Sequence, residues 1–255
     1  MPLSIAVAGK GGTGKSTIAA LVVLYLCQKN LGPVLAVDAD PDANLGTMLG
    51  IKVTKTLGQM REEVLEEIKN FPPGMSKPQY IEAGLHQIID EAEGFDLLTM
   101  GRGEGPGCYC YLNSLIRKFS EELFPVYTSI VMDNEAGLEH LSRRTTSNVD
   151  ALIVVVNDNP ISVATARNIE RIVKDIKTLI GRKYVVTNMV KEQRKSLVIN
   201  QVKGLDMEYL GDIPYDQNLE DLIYQGRSLR ELEASPVKDH IKYIVDTIGG
   251  RNGHT

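Results

Sequence analysis

The stretch Gly9-Lys10-Gly11-Gly12-Thr13-Gly14-Lys15-Ser16 constrains this chain more than any other. It fits the pattern G-x-x-x-x-G-K-[ST], follows the apolar run Ser4–Ala8 and opens the helical candidate Lys15–Lys29. Glycines let such a loop curl until successive N–H groups face phosphate oxygens, and the positive end of the next helix adds to the attraction. Lys15 is then expected to reach the β- and γ-phosphates of a nucleotide, and Ser16 to ligate Mg²⁺. Gly11, Gly12, Thr13, Gly14 and Thr17 complete the expected cradle.

Strand, glycine loop and helix in that order imply a βαβ unit, and the rest of the chain continues it. Val34–Val37, Asp96–Met100, Ser129–Met132, Leu152–Val156 and Tyr184–Thr187 read as further strands, apolar almost throughout, as in sheets covered on both faces. Helical candidates are Leu57–Lys69, Tyr80–Glu91, Leu112–Leu123, Ser162–Leu179 and Val237–Ile248, with a surface helix over Lys191–Lys203. The expectation is an α/β fold with a doubly wound, mostly parallel sheet flanked by helices, in a single domain over residues 1–255. Ligands of such sheets lie beyond the carboxyl ends of the strands, so the residues ending each strand matter most.

Composition excludes some classes. The net charge is −5, from 28 basic and 33 acidic side chains, which speaks against sequence-independent nucleic-acid binding. No apolar run approaches a membrane span, and Met1-Pro2-Leu3-Ser4 lacks the pattern of a secretion signal. Three cysteines do not make a disulfide framework, so a cytoplasmic, reducing compartment is expected.

Lys10, a second lysine inside the loop, gives the form G-K-G-G-x-G-K-[ST]. Here the sequence resembles the deviant Walker A ATPases, which include ParA/MinD partition ATPases, the nitrogenase iron protein, and metal-insertion and arsenite-type ATPases. The resemblance implies ATP hydrolysis in a nucleotide-sandwich homodimer, with Lys10 reaching the partner's phosphates. Ala36-Val37-Asp38-Ala39-Asp40-Pro41-Asp42 matches switch I. By resemblance Asp40 orients the attacking water and Asp38 stands near the Mg²⁺ shell, while Asp42 reads as turn chemistry. Ser129-Ile130-Val131-Met132-Asp133 resembles Walker B, which makes Asp133 a Mg²⁺-site residue. Asn134-Glu135-Ala136-Gly137 reads as switch II. His140 reads as a helix-face residue and Cys27 as core packing. Asn188 matches the base-recognition asparagine, and the segment Ile213-Pro214-Tyr215-Asp216 resembles the one that closes over the base, bringing in Pro214. Met189 and Val190 depart from N-K-x-D and favour ATP over GTP.

Cys108-Tyr109-Cys110 follows the glycine-rich run Gly101–Gly107. Two thiols one residue apart cannot close a four-ligand site alone, but a two-fold dimer would bring four sulfurs together. Taken alone the pair is as compatible with an inert or redox role as with metal binding. GKGGTGKST, VDADPDANLG, CYCYLNS and VMDNEAGLEHLSRRT together resemble CooC-type nickel-insertion ATPases, which mature carbon monoxide dehydrogenase or acetyl-CoA synthase. That resemblance implies Cys108 and Cys110 as ligands of Ni²⁺ or Zn²⁺ at the dimer interface, with a client nickel enzyme as partner. Two other functions are open. One is a MinD/ParA-like placement ATPase acting on membrane or DNA, for which Val237–Ile248 is a weak anchor. The other is an iron–sulfur reductase, against which no cysteine lies near Asp133.

Overall fold

The computed structural model describes residues 2–67, 77–101, 121–135, 148–175 and 179–252. An eight-stranded sheet runs through its centre in the order β3-β4-β2-β5-β1-β6-β7-β8. The strands are β1 (Leu3–Gly9), β2 (Val34–Asp38), β3 (Ile89–Ala92), β4 (Phe95–Thr99), β5 (Ser129–Asp133), β6 (Asn148–Val156), β7 (Leu179–Asn188) and β8 (Glu208–Ile213). All pairings are parallel except β3 with β4. The helices are α1 (Lys15–Lys29), α2 (Leu45–Leu49), α3 (Leu57–Glu67), α4 (Lys77–Gln87), α5 (Pro160–Asp175), α6 (Glu192–Val202), α7 (Gln217–Tyr224) and α8 (Pro236–Asn252).

The near-continuous apolar runs of the inner strands serve two cores, because successive side chains of a strand point to opposite faces. Ile5 and Val7 pack with α1, α2 and α8, while Ala6 and Ala8 pack on the side of α3, α4, α5 and α6. α1 packs against both the sheet and α8, and its residues Ile18–Val23 are all buried. Outside that core, the Tyr25 hydroxyl and the Lys29 ammonium (2.6 Å) both donate to Asp246, which ties α1 to α8. The doubly wound parallel architecture is as expected from the sequence.

Several boundaries differ. The expected helix Tyr80–Glu91 stops at Gln87, and Ile89–Ala92 turns back as an antiparallel edge strand. Asp90 on that strand is buried and accepts from the Thr54 N–H (3.2 Å) and hydroxyl (2.6 Å), contacts that a helical path would forfeit. The expected helix Ser162–Leu179 is described only to Asp175, and Leu179 opens β7. β8, α2 and α7 were not anticipated, whereas the surface helix over Lys191–Lys203 is present as α6. Of Leu112–Leu123 only residues 121–123 are described, and they are helical. No described helix is long and apolar enough to cross a membrane.

Candidate functional site

β1 is the switch point of the sheet. The chain leaves it towards β2 on one side, returns through β5, and continues to β6 on the other side. A ligand crevice belongs there, beyond the carboxyl ends. The motif residues gather at that place. Val7 of β1 and Asp38 of β2 both lie in register with Asp133 of β5, so the two aspartates end adjacent strands beside the start of the glycine loop.

The loop is held by its own backbone. Both the N–H (3.2 Å) and the hydroxyl (2.8 Å) of Thr13 donate to the Lys10 carbonyl. Gly14 caps α1 at φ 91°, ψ 21°, and its carbonyl accepts the Ile18 N–H at 3.0 Å. A Cβ on Gly14 would stand 2.3 Å from Nδ2 of Asn188, so glycine is required both by φ and by this close approach. The Asn188 amide donates to the Thr13 carbonyl at 2.9 Å. This bond fastens β7 to the loop, a role the sequence did not suggest. Asn188 also lies in register with Ile213, which places Pro214 beside it. The exposed side chains of Met189 and Tyr215 flank that edge.

Lys15 is only 5% exposed, and its ammonium lies 3.9 Å from Asp40. Asp133, which feels the charge of Lys15, is fully buried, as is Asp38 in register with it on the neighbouring strand. Burial, with the charge of Asp133 added, pushes the Asp38 carboxyl up to about 7. Burial also raises Asp133 to about 6, against the lowering influence of the Ser16 hydroxyl and of Lys15. The two aspartates differ in what they hold. Asp38 accepts the backbone N–H groups of Asp40 (3.2 Å) and Leu45 (2.9 Å), which fixes the switch turn and the start of α2. Both oxygens of Asp133 lack a hydrogen bond of good geometry, and so does Oδ1 of the buried Asn134 beside it. An orphaned buried carboxylate next to a serine hydroxyl is a hard-oxygen pair suited to Mg²⁺. Asp42 donates its N–H to Asp40 (3.0 Å), in keeping with its reading as turn chemistry.

The raised carboxyls make a pH prediction. A group with a higher pKa folded than unfolded binds more protons in the folded state, so stability falls as pH rises through the interval between the two values. For Asp133 that interval runs from the ordinary 3.8 to about 6. Asp133→Asn removes the charge at nearly constant volume. The ligand-free variant is expected to melt above wild type at pH 8 and to converge with it near pH 4, while losing stabilisation by Mg²⁺-nucleotide. Thermal melts across this range check it. Equal melting at pH 8 would refute the assignment of a buried, uncompensated charge.

Other sequence candidates stand apart. Cys108, Cys110, Gly137 and His140 lie outside the described residues. Among the described residues no group of His, Cys, Asp and Glu is arranged to hold a metal ion as a cluster. The half-buried Cys27 donates to the Gly94 carbonyl (3.3 Å), which fits a packing role. Asn134 was read in the sequence only as the opening of switch II, with no role of its own, although its place directly after the strand-ending Asp133 was a usable signal.

Residues 4–229 match the model of the CobQ/CobB/MinD/ParA nucleotide binding domain. The chain belongs to this family. An uncharacterised ATP-binding protein of Methanocaldococcus jannaschii is 39% identical over 96% of this chain and 97% of its own length. The carbon monoxide dehydrogenase accessory protein CooC of Rhodospirillum rubrum is 30% identical over 90% of both chains. The MinD cell division protein of Aquifex aeolicus superposes with a TM-score of 0.67 at 22% identity, covering 100% of this chain and 98% of that one. At that identity the likeness establishes the fold alone. The glycine loop, the Asp38–Asp42 turn and the Asp133 strand end meet at one point of the sheet.

Proposed function

We propose that this chain, as one unit over residues 1–255, is a Mg²⁺-dependent ATPase that serves as a nickel-insertion metallochaperone for carbon monoxide dehydrogenase or acetyl-CoA synthase. The observation that carries this reading is the 30% identity to CooC over 90% of both chains. The C-x-C pair supports it, as a feature a placement ATPase does not need.

In this reading Lys15 turns from Asp40 to the β- and γ-phosphates, and Gly11–Thr17 wrap them. Ser16 and Asp133 would hold Mg²⁺, with Asp38 behind them, and the ion supplies charge neutralisation at the phosphate oxygens. Asp40 orients the water that attacks the γ-phosphorus; ATP and water give ADP and phosphate. Asn188 and Pro214 border the base. Lys10 reaches the nucleotide of a second copy, so ATP favours a closed homodimer. Closure brings the four thiols of two Cys108/Cys110 pairs around one Ni²⁺ or Zn²⁺. ATP can shift metal affinity only so far as it prefers the closed dimer over the open form.

Anaerobic size-exclusion with metal analysis tests this on wild type and a Cys108→Ser/Cys110→Ser variant. About one Ni²⁺ per wild-type dimer is expected, the ratio set by four thiolates per ion. The variant is expected to lose the metal and keep ATP hydrolysis. Equal metal content in both would sink the metallochaperone reading. ATP-dependent binding to liposomes or DNA without bound nickel would replace it with a MinD/ParA-like role.

A further inference from the structure

The sheet carries one more polar side chain level with the carboxylates. β4 ends in Thr99, which lies in register with Asp38, as Asp38 does with Asp133. In-register partners on parallel strands project to the same face. Two residues earlier on these strands, Leu97, Ala36 and Val131 pack on the side of α1 and α2. Thr99, Asp38 and Asp133 therefore form a row on that face, leading towards Ser16 and Lys15. All three are 0% exposed.

Thr99 Oγ1 has no hydrogen-bond partner. A hydroxyl shut away from water without an acceptor is destabilising, and valine would fill the same space without that cost. The nearest anionic group in the row is Asp38, about 4.8 Å away across one strand spacing. Each Asp38 oxygen accepts one backbone N–H and keeps a further lone pair. Lys15 pairs with Asp40 at 3.9 Å, which braces the same turn from its other side. When Lys15 turns to phosphate, as in the ATPase reading, the Asp40 turn loses that pair and depends on the N–H groups that Asp38 accepts, so a donor that fixes Asp38 gains value.

We propose that Thr99 is a positioning residue whose hydroxyl donates to Asp38 in the Mg²⁺-nucleotide state, steadying the Asp40 turn through the two N–H groups that Asp38 holds. This rests on the ATPase reading above.

The test uses the full chain as wild type, Thr99→Val and Thr99→Ser. Binding of a fluorescent ATP analogue is titrated against Mg²⁺, and ligand-free melting is measured in parallel. Thr99→Val is expected to melt no lower than wild type, yet to need about tenfold more Mg²⁺ for half-maximal binding, the loss of one hydrogen bond to a charged group. Thr99→Ser should restore the wild-type Mg²⁺ dependence. An unchanged Mg²⁺ dependence in Thr99→Val overturns the proposal, as does a serine variant that behaves like valine. A lowered ligand-free melting temperature in Thr99→Val also overturns it, because the hydroxyl would then already be engaged. If wild type itself shows no Mg²⁺-dependent nucleotide binding, the ATPase reading falls and takes this inference with it.

Discussion

Replacing Lys15 with alanine is expected to lower ATP hydrolysis by about 10²–10³-fold, the usual cost of deleting one donor aimed at developing charge. It is also expected to lower stability, which sets it apart from an exposed catalytic lysine. Its ammonium is nearly buried, lies 3.9 Å from Asp40 and lowers the Asp133 carboxyl by its charge. Removing the cation leaves Asp40 and Asp133 uncompensated in a poorly solvated place, a loss of about 1–3 kcal/mol by analogy with other buried polar groups left unpaired. Lys15→Met keeps the aliphatic stem and separates packing from charge. Phosphate release and thermal melting are the two measurements. A hydrolysis rate within threefold of wild type would remove Lys15 from the site, whatever the melt showed.

Gly14→Ala is expected to disable the loop by a different route. At φ 91° a side chain costs about 1–2 kcal/mol. The new Cβ would also stand 2.3 Å from the Asn188 amide and displace its hydrogen bond to Thr13, worth about 0.5–1.5 kcal/mol. Together these predict a fall in melting temperature of roughly 5–10 °C for a chain of this length. Nucleotide affinity should fall with it, since the displaced bond is one that shapes the loop. Gly12→Ala is the control. Gly12 has φ 79° but no atom within 4 Å of a Cβ, so only the backbone cost applies and about half the fall is expected. Equal effects of the two substitutions would show that the contact with Asn188 contributes nothing.

The inner strands were legible because burial on both faces leaves them unbroken in apolar residues, as in Ile5–Ala8 and Ile153–Val156. The outer strands were not. Ile-Asp-Glu-Ala of β3 alternates with polar residues and follows a helical pattern without a glycine or proline stop. Its strand identity rests on Asp90 meeting Thr54, 36 positions earlier. β8 interrupts its apolar run with Gly211 and Asp212, as an edge position allows. In the site, Lys15, Ser16, Asp40 and Asp133 could be named because each belongs to a short local pattern. Asn188 bonding to Thr13 could not, since the pair is separated by 175 positions and both groups are ordinary amides. Thr99 was equally silent: a single polar residue closing Phe-Asp-Leu-Leu-Thr carries no motif, and only its register with Asp38 singles it out.

The order of strands also bears on how the chain acquires its shape during synthesis. Of the eight described strands β1 is made before the others, and it carries the loop. Its two neighbours are β5 and β6, so Leu3 waits for Ser129 and Gly9 waits for Val155. Until β5 has emerged, the strand at the heart of the sheet has no ladder on either side. Pairings of such long sequence separation fold slowly and expose unpaired edges meanwhile. A ribosome stalled before residue 129 would therefore hold a complete glycine loop with nothing to brace it, and nucleotide could not rescue the nascent chain until β5 had arrived.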